Sequence, residues 1–542
     1  MKNTLHLLLI FILLAACKKP PVQNLAPVAN AGLDISILLP VDSATLNGST
    51  SSDTDGTIAS YQWTLISGPA GSSLSTETLA ITTVKGLTSG VFEFELKVTD
   101  DKGATATDKV EVIVSDPNAD PPAYGTPYDN VPALEDIVMY EVNQRAYSTS
   151  GDFQGIINRL DSIKALGINV IWLMPIHPIG AINSVNSPYS VSNYKAVNPE
   201  YGTLEDLREL VDKSHQKGMS VIIDWVANHT AWDNPWITNT DWYSQDGNGN
   251  IIIPPGTNWN DVADLNFNNQ EMRLEMIKAM KYWILTANID GFRVDAADLV
   301  PFSFWQQALD TLTNMPDRDL ILLAEGSRMD HLTAGFQMTY AWDFYTTLKN
   351  VFMEDATANN CFITNNAEYS GMPAGKKRLR FTTNHDHSAW EATPMTLFNG
   401  KQGALAAAVI AGYMNGVPLI YGSQEVGRVN TVPFFTNSPI NWSQNPDMLA
   451  AYKAIFAVYN TTPALRKGTL QPYINNDIVS FKKSLDAEQV VVMVNTRNSA
   501  INYTLPPAIV NTSWVNAFSG APVELLTSIS LGPYEYVVLK NQ

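Results

Sequence analysis

Two stretches of this 542-residue sequence decide its fold: Val221-Ile222-Ile223-Asp224 and Gly291-Phe292-Arg293-Val294-Asp295. Each stretch is short, largely apolar and ends in a carboxylate. Strands of a parallel sheet are covered by helices on both faces, so they are apolar along their length rather than at alternate positions. Both stretches therefore predict buried parallel strands with an acidic side chain at the carboxyl end.

Similar runs alternate with helical stretches along the middle of the chain. The other apolar runs are Ile137–Val142, Val170–Met174 and Leu320–Glu325, and further strands are predicted around Arg378–Thr382 and Val417–Tyr421. The helical stretches include Gly155–Leu166, Leu204–Lys217 and Gln270–Thr286. Alternating strands and helices predict a parallel α/β sheet or barrel, and a strand count near eight favours a (β/α)8 TIM barrel. No Gly-rich phosphate loop opens the first helix, so we predict such a barrel over residues 133–461.

Both ends of the chain predict β-domains. Residues 23–116 are rich in Ser, Thr, Val and Gly, and the run Glu93–Val98 alternates between polar and apolar residues. Short alternating strands separated by turn signals such as Asp53–Gly56 are typical of an immunoglobulin-like β-sandwich. The Pro- and Asp-rich residues 117–132 predict a linker. Strand-like runs after the barrel predict a C-terminal all-β domain, a second sandwich, over residues 462–542.

Composition excludes several classes of protein. The chain has 53 acidic and 34 basic residues, a formal net charge of −19. A nucleic-acid binder needs a basic face to displace counterions from phosphates, so this balance argues against nucleic acid as a partner. Hydrophobic residues make up 45% of the chain and charged residues 16%, which excludes wholesale disorder. We therefore expect an ordered, multidomain protein.

The first residues predict export. Lys2 precedes an apolar run, Leu7–Leu14, that is too short to span a bilayer as a helix. Leu14-Ala15-Ala16-Cys17 resembles a bacterial lipobox, in which the chain is cut before a cysteine that is then lipidated; an ordinary signal peptide is the alternative. We expect residues 1–17 to form this signal, with Cys17 anchoring an exported protein to a bacterial membrane, the outer membrane being preferred. Cys361 would then be the one free thiol.

Carboxylates recur at the carboxyl ends of the predicted barrel strands. Asp224, Asp295 and Glu325 each end an apolar run, and Asp386 follows the run at Arg378–Thr382. Enzymes with this fold carry their chemistry at that end of the barrel. Any one carboxylate can instead cap the next helix, but four on one rim indicate acid/base chemistry. Glycoside hydrolysis is the leading reaction of that type.

The residues around these carboxylates resemble the motifs of the α-amylase family, glycoside hydrolase family 13. The four motifs, in the family's order, are Asp224–His229, Gly291–Asp295, Leu323–Gly326 and Phe381–Asp386. The resemblance runs from about Glu135 to Tyr459. It implies a TIM barrel with a small B domain inserted after the third strand, here residues 229–264.

A second resemblance covers the N-terminal segment. Its residues are similar to a PKD-type immunoglobulin-like module at Pro27–Gly32, Asp53–Ile58, Tyr61–Trp63 and Val98–Asp100. Such modules serve as spacers or make weak contacts with glycans or proteins. We expect Trp63 to be a core residue of this module rather than a platform for sugar.

The α-amylase resemblance implies catalytic roles for three carboxylates. Asp295 would be the nucleophile, and Glu325 would protonate the leaving oxygen and then act as base toward water. Glu325 must be protonated at rest, so we expect nearby negative charge and partial desolvation to raise its pKa. Asp386 would hold sugar hydroxyls and stabilise the oxocarbenium-like charge. A retaining enzyme places its two reacting carboxyls about 5 Å apart.

The same resemblance implies a set of substrate-binding residues. Arg293 would keep the nucleophile ionised through a charge-assisted hydrogen bond, and Tyr189 would stack on the apolar face of the sugar. The full predicted set is Tyr189, Asp224, His229, Arg293, Asn384 and His385. No cofactor is required for this chemistry.

Other positions bear on the substrate and on a metal. Many starch amylases carry Lys-His where this chain has Asp298 and Leu299, which puts the usual leaving-group contacts in doubt. Asn228 and Asp264 lie where the family often places a structural Ca2+, which prefers oxygen ligands. The tryptophans of the predicted B domain either bind sugar or pack the subdomain; they are Trp232, Trp236, Trp242 and Trp259.

The sequence therefore predicts a retaining hydrolase of α-glucosidic bonds in starch-derived glucans or maltooligosaccharides. A transglycosylase or isomerase that uses the same covalent intermediate is one alternative. A catalytically inactive glucan-binding lipoprotein is another, although the complete set of Asp295, Glu325, Asp386 and Arg293 argues against it. Endo or exo action, bond preference and oligomeric state stay open.

Overall fold

The computed structural model describes residues 23–116, 119–353 and 356–541. The chain divides between residues 119 and 120 into an N-terminal unit and a larger C-terminal unit. The proposed lipidation site, Cys17, lies outside the described residues. Within the described residues, no helix is long and apolar enough to cross a membrane.

The N-terminal unit is a β-sandwich. Its strands are β1 (Ile35–Leu38), β2 (Ser43–Asn47), β3 (Ile58–Ser67), β4 (Ser73–Leu74), β5 (Ile81–Lys85), β6 (Gly90–Asp100) and β7 (Thr105–Ser115). One sheet has the order β1-β7-β6-β3 and the other β2-β5-β4. Trp63 is fully buried in the core between them, which confirms that it is a core residue rather than a platform.

The C-terminal unit begins with a closed parallel barrel, as predicted. Its strands are β8 (Met139–Val142), β9 (Val170–Leu173), β10 (Ser220–Val226), β13 (Gly291–Asp295), β14 (Ile321–Ala324), β15 (Met338–Tyr340), β16 (Lys377–Arg380) and β17 (Val417–Tyr421). They pair in chain order, and β17 pairs with β8 to close the barrel. Strands β11 (His229–Ala231) and β12 (Val262–Asp264) form a separate antiparallel pair after β10. This pair begins and ends the B domain.

Helices surround the barrel and cover its apolar strands. The longer ones are α3 (Leu160–Ala165), α4 (Leu204–Gln216), α5 (Gln270–Ala287), α6 (Phe302–Thr313), α8 (Trp342–Met353), α9 (Asn360–Tyr369), α10 (His385–Trp390), α12 (Lys401–Tyr413) and α13 (Pro446–Thr461). The shorter ones are α1 (Gln144–Tyr147), α2 (Phe153–Ile157), α7 (Asp330–Ala334), α11 (Pro394–Leu397) and α14 (Pro463–Lys467). Short 3-10 turns lie at Leu134–Asp136, Pro235–Thr238, Thr240–Trp242, Ala297–Leu299 and Gln424–Val426.

The C-terminal part of this unit is a β-domain that packs on the barrel. Its strands are β18 (Thr469–Tyr473), β19 (Ile478–Leu485), β20 (Glu488–Asn495), β21 (Ile501–Thr504), β22 (Thr512–Asn516), β23 (Pro522–Leu525), β24 (Ser528–Leu531) and β25 (Tyr536–Lys540). They form a six-stranded sheet, β18-β19-β20-β25-β22-β23, and a two-stranded sheet, β21-β24. Lys483 of β19 is buried and donates to the backbone oxygen of Met414, 2.9 Å away, which ties this domain to the barrel.

The segment predicted as a linker packs on the barrel where the structure describes it. Tyr124 donates its backbone N–H to Leu285 O and its hydroxyl to Asp212, at 2.7 Å in both cases. The guanidinium of Arg208 lies 4.3 Å from the centre of the Tyr124 ring. This segment is therefore bonded to α4 and α5 at Tyr124. Its Pro-rich composition indicated irregular backbone but not these contacts.

Strand register brings the acidic residues of the first two motifs together. In β10 and β13, Asp224 pairs with Arg293 and Val226 pairs with Asp295. Alternate residues of a strand point to the same side, so Arg293 and Asp295 share one side of β13. These side chains meet inside the barrel mouth, and Asp224 and Arg293 are fully buried there.

Candidate active site

Arg293 is the centre of the site. Its Nη1 donates to Asp224 Oδ1 at 2.9 Å and to Asp295 Oδ1 at 3.0 Å. Its Nη2 lies 2.9 Å from Glu325 Oε1, an ion-pair contact without the alignment of a hydrogen bond. Its Nε donates to the Tyr340 hydroxyl. One guanidinium thus serves three carboxylates, and we call these four charged residues the Arg293 cluster.

Burial and excess negative charge favour the protonated forms of the carboxyl groups in this cluster. Burial raises the pKa of Glu325 to about 7; Arg293 opposes the shift, and Asp295 and Asp386 add to it. This agrees with the expected cause and direction. Burial likewise raises the pKa of Asp295 to about 6 against the charge of Arg293. Between these two pKa values, Glu325 is therefore the more protonated of the two and Asp295 the more ionised.

Glu325 is held close to β13, the strand that ends in Asp295. It follows β14 directly, and its Oε2 accepts a hydrogen bond from the backbone N–H of Ala296 at 2.7 Å. Ala296 follows Asp295 and has a φ of 43°, in the left-handed region. In this backbone conformation, Ala296 donates its N–H to the carboxyl of Glu325. Glu325 and Asp295 are therefore neighbours at the mouth of the barrel.

A second group of polar residues lies beside the cluster. His385 contacts Glu141 through Nδ1 and the Tyr189 hydroxyl, 2.7 Å away, through Nε2. The Tyr189 hydroxyl also donates to Asp224 at 3.0 Å, and its ring stacks on His385 with centroids 5.5 Å apart. Burial opposes protonation of His385, but the charges of Asp386 and Glu141 outweigh it and raise its pKa to about 9. His385 is therefore cationic at neutral pH.

His229 lies on the B-domain side and differs from His385 in charge. It is 3% exposed, and burial lowers its pKa to about 4, so the ring is neutral at neutral pH. Its ring meets Trp259 edge-on with centroids 5.4 Å apart. Trp259 is 38% exposed, whereas Trp236 and Trp242 pack against the barrel core. Trp232 packs there too, so Trp259 is the one of the four B-domain tryptophans that lines the site.

These groups surround a cavity of about 560 Å³. Six of the predicted site residues line it: Tyr189, His229, Asp295, Glu325, His385 and Asp386. Asp224 and Arg293 lie below the cavity floor, fully buried. They contact three residues that line the cavity: Tyr189, Asp295 and Glu325. The structure thus brings the predicted residues together, with these two as support beneath the lining groups.

Asn384, which the sequence predicted to bind substrate, caps a helix in the structure. It is fully buried, and its amide oxygen accepts from the backbone N–H of His387, so it caps the first turn of α10. Its Nδ2 has no hydrogen-bond partner among the described residues. Asn384 therefore holds the start of the helix that carries His385 and Asp386, and direct contact with substrate stays a prediction.

Several residues of the site were not predicted from the sequence. Glu141 is fully buried in β8 and contacts His385; a carboxylate inside an apolar strand was the signal that could have found it. Trp390, Phe434 and Phe435 add aromatic surface to the cavity. Phe434 and Phe435 lie in the connection after β17, where the sequence shows no periodicity of a strand or a helix. Their place in the site could therefore not be predicted without the fold.

Asp298, which departs from the family pattern, has a structural partner. Its Oδ1 accepts from His331 Nε2 at 2.7 Å, and its Oδ2 accepts from the backbone N–H of Ser327 at 3.2 Å. Ser327 lies two residues after Glu325. Asp298 therefore holds the loop that follows Glu325.

The two candidate calcium ligands share a second cavity, of about 310 Å³. Asn228 and Asp264 line it together with the oxygen-bearing side chains of Ser244, Asn266 and Asn268. Asp264 is 8% exposed, and burial raises its pKa. Among the described residues, no group of three or more His, Cys, Asp or Glu side chains is arranged to hold a metal. The donor set is one carboxylate with amide and hydroxyl oxygens, which fits the oxygen preference of Ca2+.

Comparisons with known proteins agree with this geometry. Residues 114–250 and 256–469 match the α-amylase catalytic domain, and residues 31–114 match a PKD domain. The solved structure of an α-amylase from Lactobacillus plantarum is 27% identical and has a TM-score of 0.68, covering 76% of this chain and 99% of that one.

Curated relatives include enzymes with different printed activities. Alpha-amylase 3 of Dictyoglomus thermophilum is 28% identical over 61% of this chain and 71% of its own length. A cyclomaltodextrinase of Thermoanaerobacter pseudethanolicus is 25% identical over 64% of this chain and 63% of its own length. The family match covers more than half of the chain, and the motifs meet at one cavity. The protein therefore belongs to the α-amylase family and is a glycosidase.

Proposed function

We propose that this protein hydrolyses α-glucosidic bonds in starch-derived glucans and maltooligosaccharides, with retention of configuration. One observation carries the proposal: Arg293 contacts both Asp295 and Glu325, 3.0 Å and 2.9 Å away, and both carboxyls face the same cavity. Two carboxyls joined by one guanidinium favour the separation of about 5 Å that retaining enzymes have over the ~6.5–9.5 Å of inverting enzymes.

In the first step, Asp295 attacks the anomeric carbon while Glu325 gives its proton to the glycosidic oxygen. The bond between the anomeric carbon and that oxygen breaks, and a covalent β-glycosyl enzyme forms. The pKa of Glu325, raised by burial to about 7, keeps part of the enzyme in the protonated form that this step needs. Arg293 stabilises the ionised form of Asp295.

In the second step, Glu325 accepts a proton from water, and the resulting oxygen attacks the anomeric carbon. The bond to Asp295 breaks, and the product has the α configuration of the substrate. Tyr189 and the cationic His385 hold the sugar ring. Asp386 lies 3.4 Å from His385 Nε2 and would bind sugar hydroxyls. Trp259 supplies an apolar face on the B-domain side.

Product analysis tests this proposal. Protein lacking residues 1–17 is incubated with maltoheptaose, starch, pullulan, cyclodextrin and trehalose, beside Asp295→Asn. The matched control is Asp310→Asn, which changes an exposed aspartate on α6 in the same way. Shorter sugars that vanish in Asp295→Asn alone support hydrolysis. Products longer than the substrate would instead support glycosyl transfer, and no turnover of any sugar would contradict the proposal.

We propose also that Ca2+ binds in the second cavity, where Asn228 and Asp264 would hold it through their side-chain oxygens. A buried Asp264 carboxylate beside amide oxygens supports this. A bound ion would join the end of β12 to the loop that precedes β11 and so stabilise the B domain. Saturating Ca2+ at about 100 times its dissociation constant stabilises a protein by about 2.7 kcal/mol. Chelation should therefore lower the melting temperature, and Asp264→Asn should remove that dependence; a calcium response unchanged in Asp264→Asn would contradict this.

We propose further that the protein is exported and lipid-anchored through Cys17. The apolar run Leu7–Leu14 and the small residues before Cys17 support this. Expression in a bacterium with a radiolabelled fatty acid tests it: the wild type should carry label and Cys17→Ala should not. Equal labelling of both would contradict the anchor.

A further inference from the structure

Arg145 is a buried arginine that the catalytic steps above do not use. It follows β8 in α1, its side chain is 2% exposed, and it pairs with Glu200. Its Nη1 donates to the backbone oxygens of Asn186 at 2.9 Å and Phe434 at 3.0 Å, and its Nη2 donates to Asn186 Oδ1 at 3.1 Å. One guanidinium therefore joins the loop after β9 to the loop after β17.

The two loops also bond directly. Asn186 Nδ2 donates to the backbone oxygen of Phe435 at 2.6 Å. The Phe434 ring lies with its centroid 5.6 Å from His385 and 6.0 Å from Tyr189, and 4.8 Å from Phe435. We call Arg145, Asn186, Phe434 and Phe435 the rim wall. It stands against the two residues proposed to hold the sugar ring.

The order of strands shows which end of a substrate meets the rim wall. The barrel runs β8-β9-β10-β13-β14-β15-β16-β17, so β8 stands opposite β14. Glu325 follows β14, and an acid that protonates the leaving oxygen must lie on the leaving-group side. The loops of the rim wall follow β9 and β17, the two neighbours of β8. The wall therefore faces away from the leaving group, where the non-reducing part of a glucan would extend.

We propose that the rim wall closes the site toward the non-reducing end of the substrate. The enzyme then binds α-glucan chains by their non-reducing ends and releases short units. This inference rests on the proposed function and specifies the substrate as a free chain end. Arg145 and Asn186 are positioning residues, because they act through the backbone of Phe434 and Phe435.

A pair of chromogenic substrates tests the inference. One is p-nitrophenyl maltoheptaoside, and the other is the same compound with its non-reducing glucose blocked by a 4,6-ethylidene group. One methylene group too many for a pocket costs roughly 10–200-fold in specificity, and the ethylidene group is larger than a methylene. The wild type should therefore cleave the blocked compound at least ~10-fold more slowly, as read by chromatography of all products. Equal cleavage of both would overturn the inference, while cleavage of neither would overturn the proposed function itself.

Variants assign the effect to the rim wall. Asn186 has a φ of 65°, which glycine adopts without strain, so Asn186→Gly removes the side-chain bonds and keeps the backbone path. Asn511→Gly is the matched control, because Asn511 is exposed in the C-terminal domain and has a φ of 55°. Asn186→Gly and Phe435→Ala should reduce the ratio of the cleavage rate of the unblocked substrate to that of the blocked substrate. Asn511→Gly should leave this ratio unchanged. An unchanged ratio in both wall variants would overturn the role of the wall.

Discussion

Two buried arginines of the barrel differ in the number of carboxylates that they contact. Arg380, 1% exposed, pairs with the single carboxylate Glu368 at 2.6 Å. Its other nitrogens donate to Asn365 Oδ1 at 3.0 Å and to the backbone oxygen of Asn415 at 2.8 Å. Arg293 instead faces three carboxylates, and its Nη2 lacks an aligned acceptor among the described residues.

The difference separates a structural ion pair from the proposed site of proton transfer. Around Arg380, each donor nitrogen has a partner, and Glu368 is the one carboxylate it contacts in the part of the chain that the structure describes. Around Arg293, negative charge exceeds positive charge in a buried place, so the carboxylates have raised pKa values of about 6 for Asp295 and about 7 for Glu325, with burial as the main cause. Enzymes use such pairs, whose environments separate the two pKa values, to divide the roles of base and acid.

The largest expected effect follows from removing Asp295, the proposed nucleophile. Asp295→Asn should lower kcat by at least ~10⁴-fold, as loss of a nucleophile does in other hydrolases. The variant should stay folded, because the change takes one negative charge from a cluster that has too many. Steady-state kinetics and thermal unfolding measure both results. A variant within about tenfold of wild-type kcat would show that Asp295 is not the nucleophile.

Breaking the ion pair between Arg380 and Glu368 should lower stability rather than activity. Glu368→Gln leaves the buried Arg380 without its counter-charge, and breaking a buried pair costs about 3–5 kcal/mol. Denaturant unfolding should show this loss, while kcat of the folded enzyme stays near that of the wild type. Glu205→Gln is the control, since the Glu205 side chain is 76% exposed. A large fall in kcat without loss of stability would remove the distinction between the two arginines.

The pH dependence of activity should follow the two raised pKa values. Glu325 must be protonated, so kcat/KM falls as pH rises through about 7; Asp295 must be ionised, so it falls as pH drops through about 6. Each limb changes about tenfold per pH unit beyond its pKa. Initial rates from about pH 4 to about pH 9 measure the profile. A flat profile over that whole range would contradict the assignment.

The smallest expected effect concerns the third carboxylate of the cluster. Asp224 adds negative charge next to Asp295 and so helps to raise the pKa of Asp295, after burial and against Arg293. In Asp224→Asn the acidic limb of the pH profile should move to lower pH, by less than ~1 unit. The alkaline limb, which belongs to Glu325, should move less. A shift of the acidic limb to higher pH would contradict this coupling.

Much of the barrel was predictable because most of its strands are apolar and bounded by polar residues; β16, with three basic residues, is the exception. The predicted bounds agree fully for Gly291–Asp295 and Val417–Tyr421, and the family resemblance supplied the four motifs. The strand Met338–Tyr340 was missed because three residues are too short to show a period. The stretch Gly155–Leu166, predicted as one helix, is two, Phe153–Ile157 and Leu160–Ala165.

The site was predictable where a motif ends a strand, and not where loops from distant parts of the chain meet. Asp295, Glu325 and His385 came from motifs. Arg145, 41 residues before Asn186 and 289 before Phe434, meets both only through closure of the barrel. The capping role of Asn384 could also not be predicted from the sequence, since it depends on where α10 begins. Sequence thus indicated the chemistry, while the fold determined the shape of the cavity.

The stereochemistry of hydrolysis tests the central claim most directly. Proton NMR can follow maltoheptaose during the first minutes with concentrated enzyme, before the new reducing ends mutarotate. A glycosyl intermediate on Asp295, displaced by water that Glu325 activates, predicts that the α-anomer appears first and the β-anomer only later. Initial appearance of the β-anomer would mean direct displacement by water, and would contradict the assignment of Asp295 as nucleophile.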